Sequence, residues 1–107
     1  MATSNSNGSQ TAVISTEHTL ATITTSGSFV ISIDANAMAL GDIVKIKVKL
    51  KVRSVGTTRL AYEYIYANVQ PTPVLISIPV ASTNEIVFTL TQTAGTGRAF
   101  PWEIWEL

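Results

Sequence analysis

The chain has 107 residues, with seven Lys plus Arg against seven Asp plus Glu and no cysteine. That length suits one domain burying roughly two-thirds of its unfolded surface. The missing cysteines exclude a disulfide framework and a thiolate metal site, and the even charge balance weighs against a nucleic-acid binder, which is normally strongly basic.

Hydrophobic residues make up 46% and charged residues only 13%, so fifteen Thr and ten Ser supply much of the polarity. Thr beside Val and Ile favours strands, and so few charges leave surface that neighbours can cover. No apolar stretch approaches the roughly 20 residues of a membrane span. The first ten residues lack the basic start and apolar run of a signal peptide. A soluble protein made in the cytoplasm, with no membrane partner, is therefore expected.

Residues 1–10 are polar, uncharged and without anything to bury. They read as a flexible N-terminal arm reaching about 35 Å, with residues 11–107 as the folded domain. Residues 11–25 hold Val13, Ile14, Leu20 and Ile23 among Thr and Ala, which suggests one or two strands. Phe29, Ile31 and Ile33 alternate through a strand over 28–34. Residues 34–41 carry the one helical signal: Asp34 or Asn36 as cap, then Ala and Leu, then Gly41 as stop. A helix of one or two turns crossing between sheets is expected there.

The stretch 43–53 dominates the chain. Val44, Ile46, Val48, Leu50 and Val52 alternate with Lys45, Lys47, Lys49, Lys51 and Arg53. A period of two puts all the aliphatics on one side of a β-strand and all the cations on the other. The stripe admits two readings, a polyanion site or a solvated, partner-facing surface that discourages edge pairing, and the even charge balance favours the second.

Residues 54–58 turn the chain into a return strand over 59–68, with Leu60, Tyr62, Tyr64 and Tyr66 sharing one face. A three-residue loop would set Leu50 opposite Tyr62, Val48 opposite Tyr64, Ile46 opposite Tyr66, and Glu63 opposite Lys49. Pro71 and Pro73 make a corner. A strand over 74–80 follows, ended or edged by Pro79, then a turn at 81–84. Ile86, Phe88 and Leu90 point inward from a strand over 85–92. A loop at 93–97 leads to the last strand, 98–107. There Phe100, Trp102 and Ile104 oppose Pro101, Glu103, Trp105 and Leu107, so both faces are apolar. Such a strand is covered on both sides or meets a partner.

The fold class this implies is all-β: a single β-sandwich, jelly-roll or immunoglobulin-like, of seven or eight strands with one short crossover helix.

Chemistry finds little support. His18 is the only histidine, the seven acids are dispersed, and no Gly-x-Ser-x-Gly elbow exists. The expectation is no catalytic residues, no cofactor and no metal. Gly95-Thr96-Gly97-Arg98 lacks the Lys-Ser/Thr and the following helix of a phosphate loop. Trp and Tyr could form a sugar platform, but at alternating spacing they more often belong to a core. The candidate partner-binding residues are Lys45, Lys47, Lys49, Lys51, Trp105 and Leu107, and Trp105 with Leu107 needs cover that a homo-oligomer, a trimer first and a dimer second, would give.

A strand ending in Asp34, a short Ala/Leu helix closed by Leu40-Gly41-Asp42, the Lys-rich spine and the terminal Thr91-Gln-Thr-Ala-Gly-Thr-Gly-Arg-Ala-Phe-Pro-Trp102 together resemble small structural proteins of tailed bacteriophages. The resemblance is greatest to those that decorate or cement the capsid exterior. It spans residues 20–107 and implies a β-sandwich without enzymatic activity. It also implies oligomerisation on the head shell, binding to the major capsid protein and a place on the virion exterior. The alternative is a carbohydrate- or receptor-binding module of a tail appendage.

Overall fold

Period-two alternation in four strands supplies one apolar core. The computed structural model describes residues 2–82 and 84–107; Met1 of the expected arm and Thr83 of the expected 81–84 turn lie outside them. The described residues form β1 (Thr3–Thr11), β2 (Glu17–Ile23), β3 (Gly27–Asp34), β4 (Ile43–Lys51), β5 (Arg59–Ala67), β6 (Val74–Ile76), β7 (Val80–Ser82), β8 (Glu85–Ala94) and β9 (Ala99–Glu106), with no helix among them. One antiparallel sheet runs β1-β9-β3-β6, with β7 also paired to β3; the other runs β2-β8-β4-β5. The protein is all-β, and its two sheets are compatible with a β-sandwich.

Between them lie Phe29, Ile31 and Ile33 of β3, Val44, Ile46 and Val48 of β4, Ile86, Phe88 and Leu90 of β8, and Phe100 and Ile104 of β9, all buried. Burying each such side chain contributes about 1.5–3 kcal/mol relative to leaving it in water. Tyr64, Tyr66 and Trp102 pack against this core from its margin.

Four expectations require correction. Residues 3–11 are not an arm but β1, an edge strand paired with β9 from Thr3↔Glu106 to Thr11↔Ala99. Its side chains stay largely exposed, so backbone ladder bonds rather than apolar burial hold it. Gly8 matters here, because a Cβ at that position would come within 3.2 Å of the Trp102 indole.

The crossover helix is absent. The Asp34 carboxylate accepts the Asn36 N–H at 2.9 Å, and Met38 N donates to Ala35 O at 3.1 Å. A second turn closes from Asp42 N to Ala39 O at 3.1 Å, with Gly41 at φ 92°. The Asp and Gly that signal helix ends serve equally well in consecutive turns.

In the β4–β5 hairpin the pairing up to Val48 is even with even, but two residues away from the expected register: Val44↔Tyr66, Ile46↔Tyr64 and Val48↔Tyr62. The connection is longer than three residues, and a bulge between Val48 and Lys49 leaves Ala61 unpaired. Glu63 therefore faces Lys47 rather than Lys49.

Finally, the strand expected over 74–80 is two short ones, which with β1 makes nine strands rather than seven or eight among the described residues. Ser77 interrupts it: its N–H donates to Ile31 O at 3.0 Å while its Oγ accepts the Ile31 N–H at 3.1 Å, and Pro79 brings no donor.

Candidate interaction faces

The six candidate partner-binding residues do not form one site. Lys45, Lys47, Lys49 and Lys51 point outward from β4, the strand held between β8 and β5. Trp105 lies on β9 of the other sheet, and Leu107 just past the end of that strand.

The lysine face is partly neutralised from its own flanks. Across the β4–β8 ladder the lysines meet Thr91, Thr89, Val87 and Glu85; across β4–β5, Lys45 and Lys47 meet Ile65 and Glu63. Lys49 Nζ reaches over β8 to Glu17 at 3.0 Å, and Lys45 Nζ reaches Glu63 at 3.7 Å. Thr89 Oγ1 also donates to Glu17 at 2.8 Å. That hydroxyl, followed by the Lys49 ammonium, holds the Glu17 carboxyl below its usual range against a smaller opposing effect of burial. Lys47 and Lys51 take part in no ion pair among the described residues. The face is thus a Thr-lined sheet with two cations to spare.

The outward face of the five-stranded sheet is apolar at its centre. Trp105 of β9 lies directly across from Val30 of β3, and Glu103 lies across from Ser32, whose other neighbour is Ile76 of β6. Ile76 is 63% exposed and Leu107 59%. With Ala2, Val30 and the half-buried Trp105 they line a shallow depression of about 370 Å³. Beside it a second, of about 380 Å³, is lined in part by Asn7, Ser32, Asp34, Val74 and Glu103. Nothing among the described residues covers this surface. Trp102, the other indole considered as a platform, packs against the core instead.

A third polar arrangement lies at the end of the molecule where β3–β4, β5–β6 and β8–β9 connect. Asp42 is 1% exposed. Its Oδ2 accepts from Ala39 N and Arg98 Nε, both at 2.9 Å, and its Oδ1 accepts from Thr96 N at 3.2 Å. Burial pushes the carboxyl up, but the three hydrogen bonds and the guanidinium outweigh it and hold it below its usual range. Gly95, at φ 89°, leaves room for that carboxylate, since a Cβ there would collide with it.

Fully buried Gln92 completes the knot. Its Nε2 donates to Thr96 O at 2.7 Å and Ala94 O at 3.1 Å, and its Oε1 accepts from Arg98 N at 3.1 Å. The Gly95-Thr96-Gly97-Arg98 stretch is therefore folded around Asp42 and Gln92. Its Thr96 N–H faces a carboxylate and is not free for an anion. Sequence reasoning missed this site, because Asp42 and Arg98 are 56 positions apart. The only local hints were an Asp after Gly41 and an Arg after Gly-Thr-Gly.

His18 Nε2 accepts the Val13 N–H at 3.0 Å and so closes a turn. Among the described residues no cluster of three or more His, Cys, Asp or Glu is placed to hold a metal ion, and no helix is long and apolar enough to cross a membrane. Comparison with known proteins finds no matching family model, no matching curated protein and no matching solved structure.

Proposed function

We propose that this chain is a non-enzymatic structural protein of a phage virion, which binds the major capsid protein on the outside of the head and cements the shell. The observation that carries this reading is the division of the contact residues between two opposite outward faces, one apolar around Trp105 and one lined by lysines. A module built to hold one small ligand needs a single concave site; a bridge between large neighbours needs two surfaces. The resemblance of the 40–42 and 91–102 segments to head-decorating proteins points the same way.

The strand order adds support at the level of fold. Each sheet alternates early and late strands, β1-β9-β3-β6 and β2-β8-β4-β5, which favours a jelly-roll over an immunoglobulin-like wiring. Jelly-rolls serve both viral capsid and lectin domains, so this is analogy and carries no function by itself.

The test is attachment to purified phage heads that lack the protein. Adding the chain should restore stoichiometric copies per head and raise the temperature at which heads release DNA. Trp105→Ala should weaken attachment about tenfold or more, since apolar burial contributes roughly 25 cal/mol per Å², while the domain still melts cooperatively. Failure of the chain to bind heads and to appear in washed virions would end the proposal.

The second reading, a carbohydrate- or receptor-binding module on a tail appendage, rests on the depression lined by Asn7, Ser32, Asp34 and Glu103 close to Trp105, a pairing of polar groups with an indole. Glycan-array binding abolished by Trp105→Ala and retained by Lys47→Glu would favour it.

A further inference from the structure

The zero net charge conceals two oppositely charged sides. The strands of the five-stranded sheet contain Asp34, Glu103 and Glu106 and no cation at all. The strands of the four-stranded sheet contain Lys45, Lys47, Lys49, Lys51 and Arg59 against Glu17, Glu63 and Glu85. Arg53 adds to the basic side from the β4–β5 loop, and the Arg98–Asp42 pair cancels itself. On the apolar face, Asp34 and Glu103 point outward beside the Trp105 cluster and neither is in an ion pair among the described residues; on the lysine face the same is true of Lys47 and Lys51.

We propose that the apolar, acidic face of one copy docks onto the lysine face of a second copy of the chain. This deepens the reading of the chain as a bridging structural protein and rests on it, by naming the neighbour that one bridge reaches. The alternative self-contacts are worse on charge. Apolar face against apolar face would bring Asp34 and Glu103 against their own kind, and lysine face against lysine face would oppose free ammonium groups. Face to back, the unpaired acids meet the unpaired lysines, and like-charge juxtaposition is avoided. The apolar part fits as well: lysine stems are methylene chains that lie over apolar surface with the ammonium kept at its edge, and an ammonium near the Trp105 ring gains from its π face.

Because the two faces are on opposite sides of the domain, each docked pair keeps one face of each kind free. The contact is heterologous and repeats as a row instead of closing on itself.

Sedimentation velocity of the purified chain, across concentration and salt, tests the contact without any phage head. Average mass should rise with concentration at low salt and fall as salt screens the charges. Glu103→Lys reverses the apolar face, and Lys47→Glu with Lys51→Glu reverses the other; each variant alone should need about tenfold more protein to associate. Mixed one to one, the two variants should recover association, because each retains the face the other has lost. Lys47→Met with Lys51→Met, which removes charge without placing new acids beside Glu63 and Glu85, guards against a folding defect and should also weaken association. A monomer at every concentration and salt overturns the proposal. So does association that the variants leave unchanged, or that mixing fails to restore. Heads that bind the chain while free chain stays monomeric would leave the proposed function standing and remove this contact alone.

Discussion

Asp42 meets Arg98 at 2.9 Å and Glu17 meets Lys49 at 3.0 Å. The two pairs look alike as distances and differ in everything around them. Asp42 is sealed from water and receives two backbone N–H groups besides the guanidinium, from segments that lie far apart in the chain. Glu17 and Lys49 each keep about a third of their side-chain surface in solvent, at 37% and 30%. Water screens the exposed pair, so its formation and loss nearly balance. The buried carboxylate has no such substitute: without it, three donors lose their acceptor at once. The same chemistry thus specifies a fold at one end of the molecule and decorates a face in the middle.

Removing the buried member should separate the two most strongly. Asp42→Ala is expected to destabilise the domain by about 3–5 kcal/mol, the usual cost of breaking a buried pair from one side, measured by urea unfolding. A loss below about 1 kcal/mol would mean that the Arg98 loop re-solvates freely.

Titration examines the same carboxylate without mutation. A folded-state value below the unfolded one means that the contribution is complete above the ordinary aspartate range near pH 3.9 and is lost as the pH falls through the lower folded value. Melting temperature in the wild type should therefore drop steeply below about pH 4, and Asp42→Ala should flatten that part of the profile.

Gly95→Ala acts on the space around the carboxylate. Positive φ alone costs an Ala about 1–3 kcal/mol, and its methyl group would displace the carboxylate as well, so thermal unfolding should show a loss approaching that of Asp42→Ala. On the exposed side, Lys49→Ala should change stability by less than about 1 kcal/mol. A larger effect would show that Glu17, Thr89 and Lys49 act as a network.

Alternation made the core residues of β3, β4, β8 and β9 readable in advance, because burial on one face of a strand imposes a pattern on the sequence. Elements without that pattern were not readable. β1 has no apolar alternation, and its strand state depends on β9, about ninety residues away. The segment 34–42 carries signals that a helix and a pair of turns share, and what selects turns is contact with remote groups, Asn68 Oδ1 on Gly41 N at 2.8 Å and Pro73 O on Ala35 N at 2.8 Å. The hairpin parity followed from the tyrosines, but the two-residue offset combines a longer connection with a bulge at Ala61, and no local residue announces either. For the candidate residues, the sequence could place lysines and Trp105 on outward faces and could not say that the faces are opposite, since that depends on which sheet each strand joins.

The position of β9 has a consequence for synthesis. It lies between β1 and β3, bonded to both. During translation the first third of the chain can therefore emerge with two of its strands waiting for a partner that is made about seventy residues after β3 begins. No nascent fragment ending before Ala99 contains the strand that joins them, so the five-stranded sheet is assembled only when almost all of these residues have left the ribosome. Until then Ile31 and Ile33 lack their β9 neighbours Ile104 and Trp102, and a chaperone that recognises exposed aliphatic segments has its best opportunity in that interval.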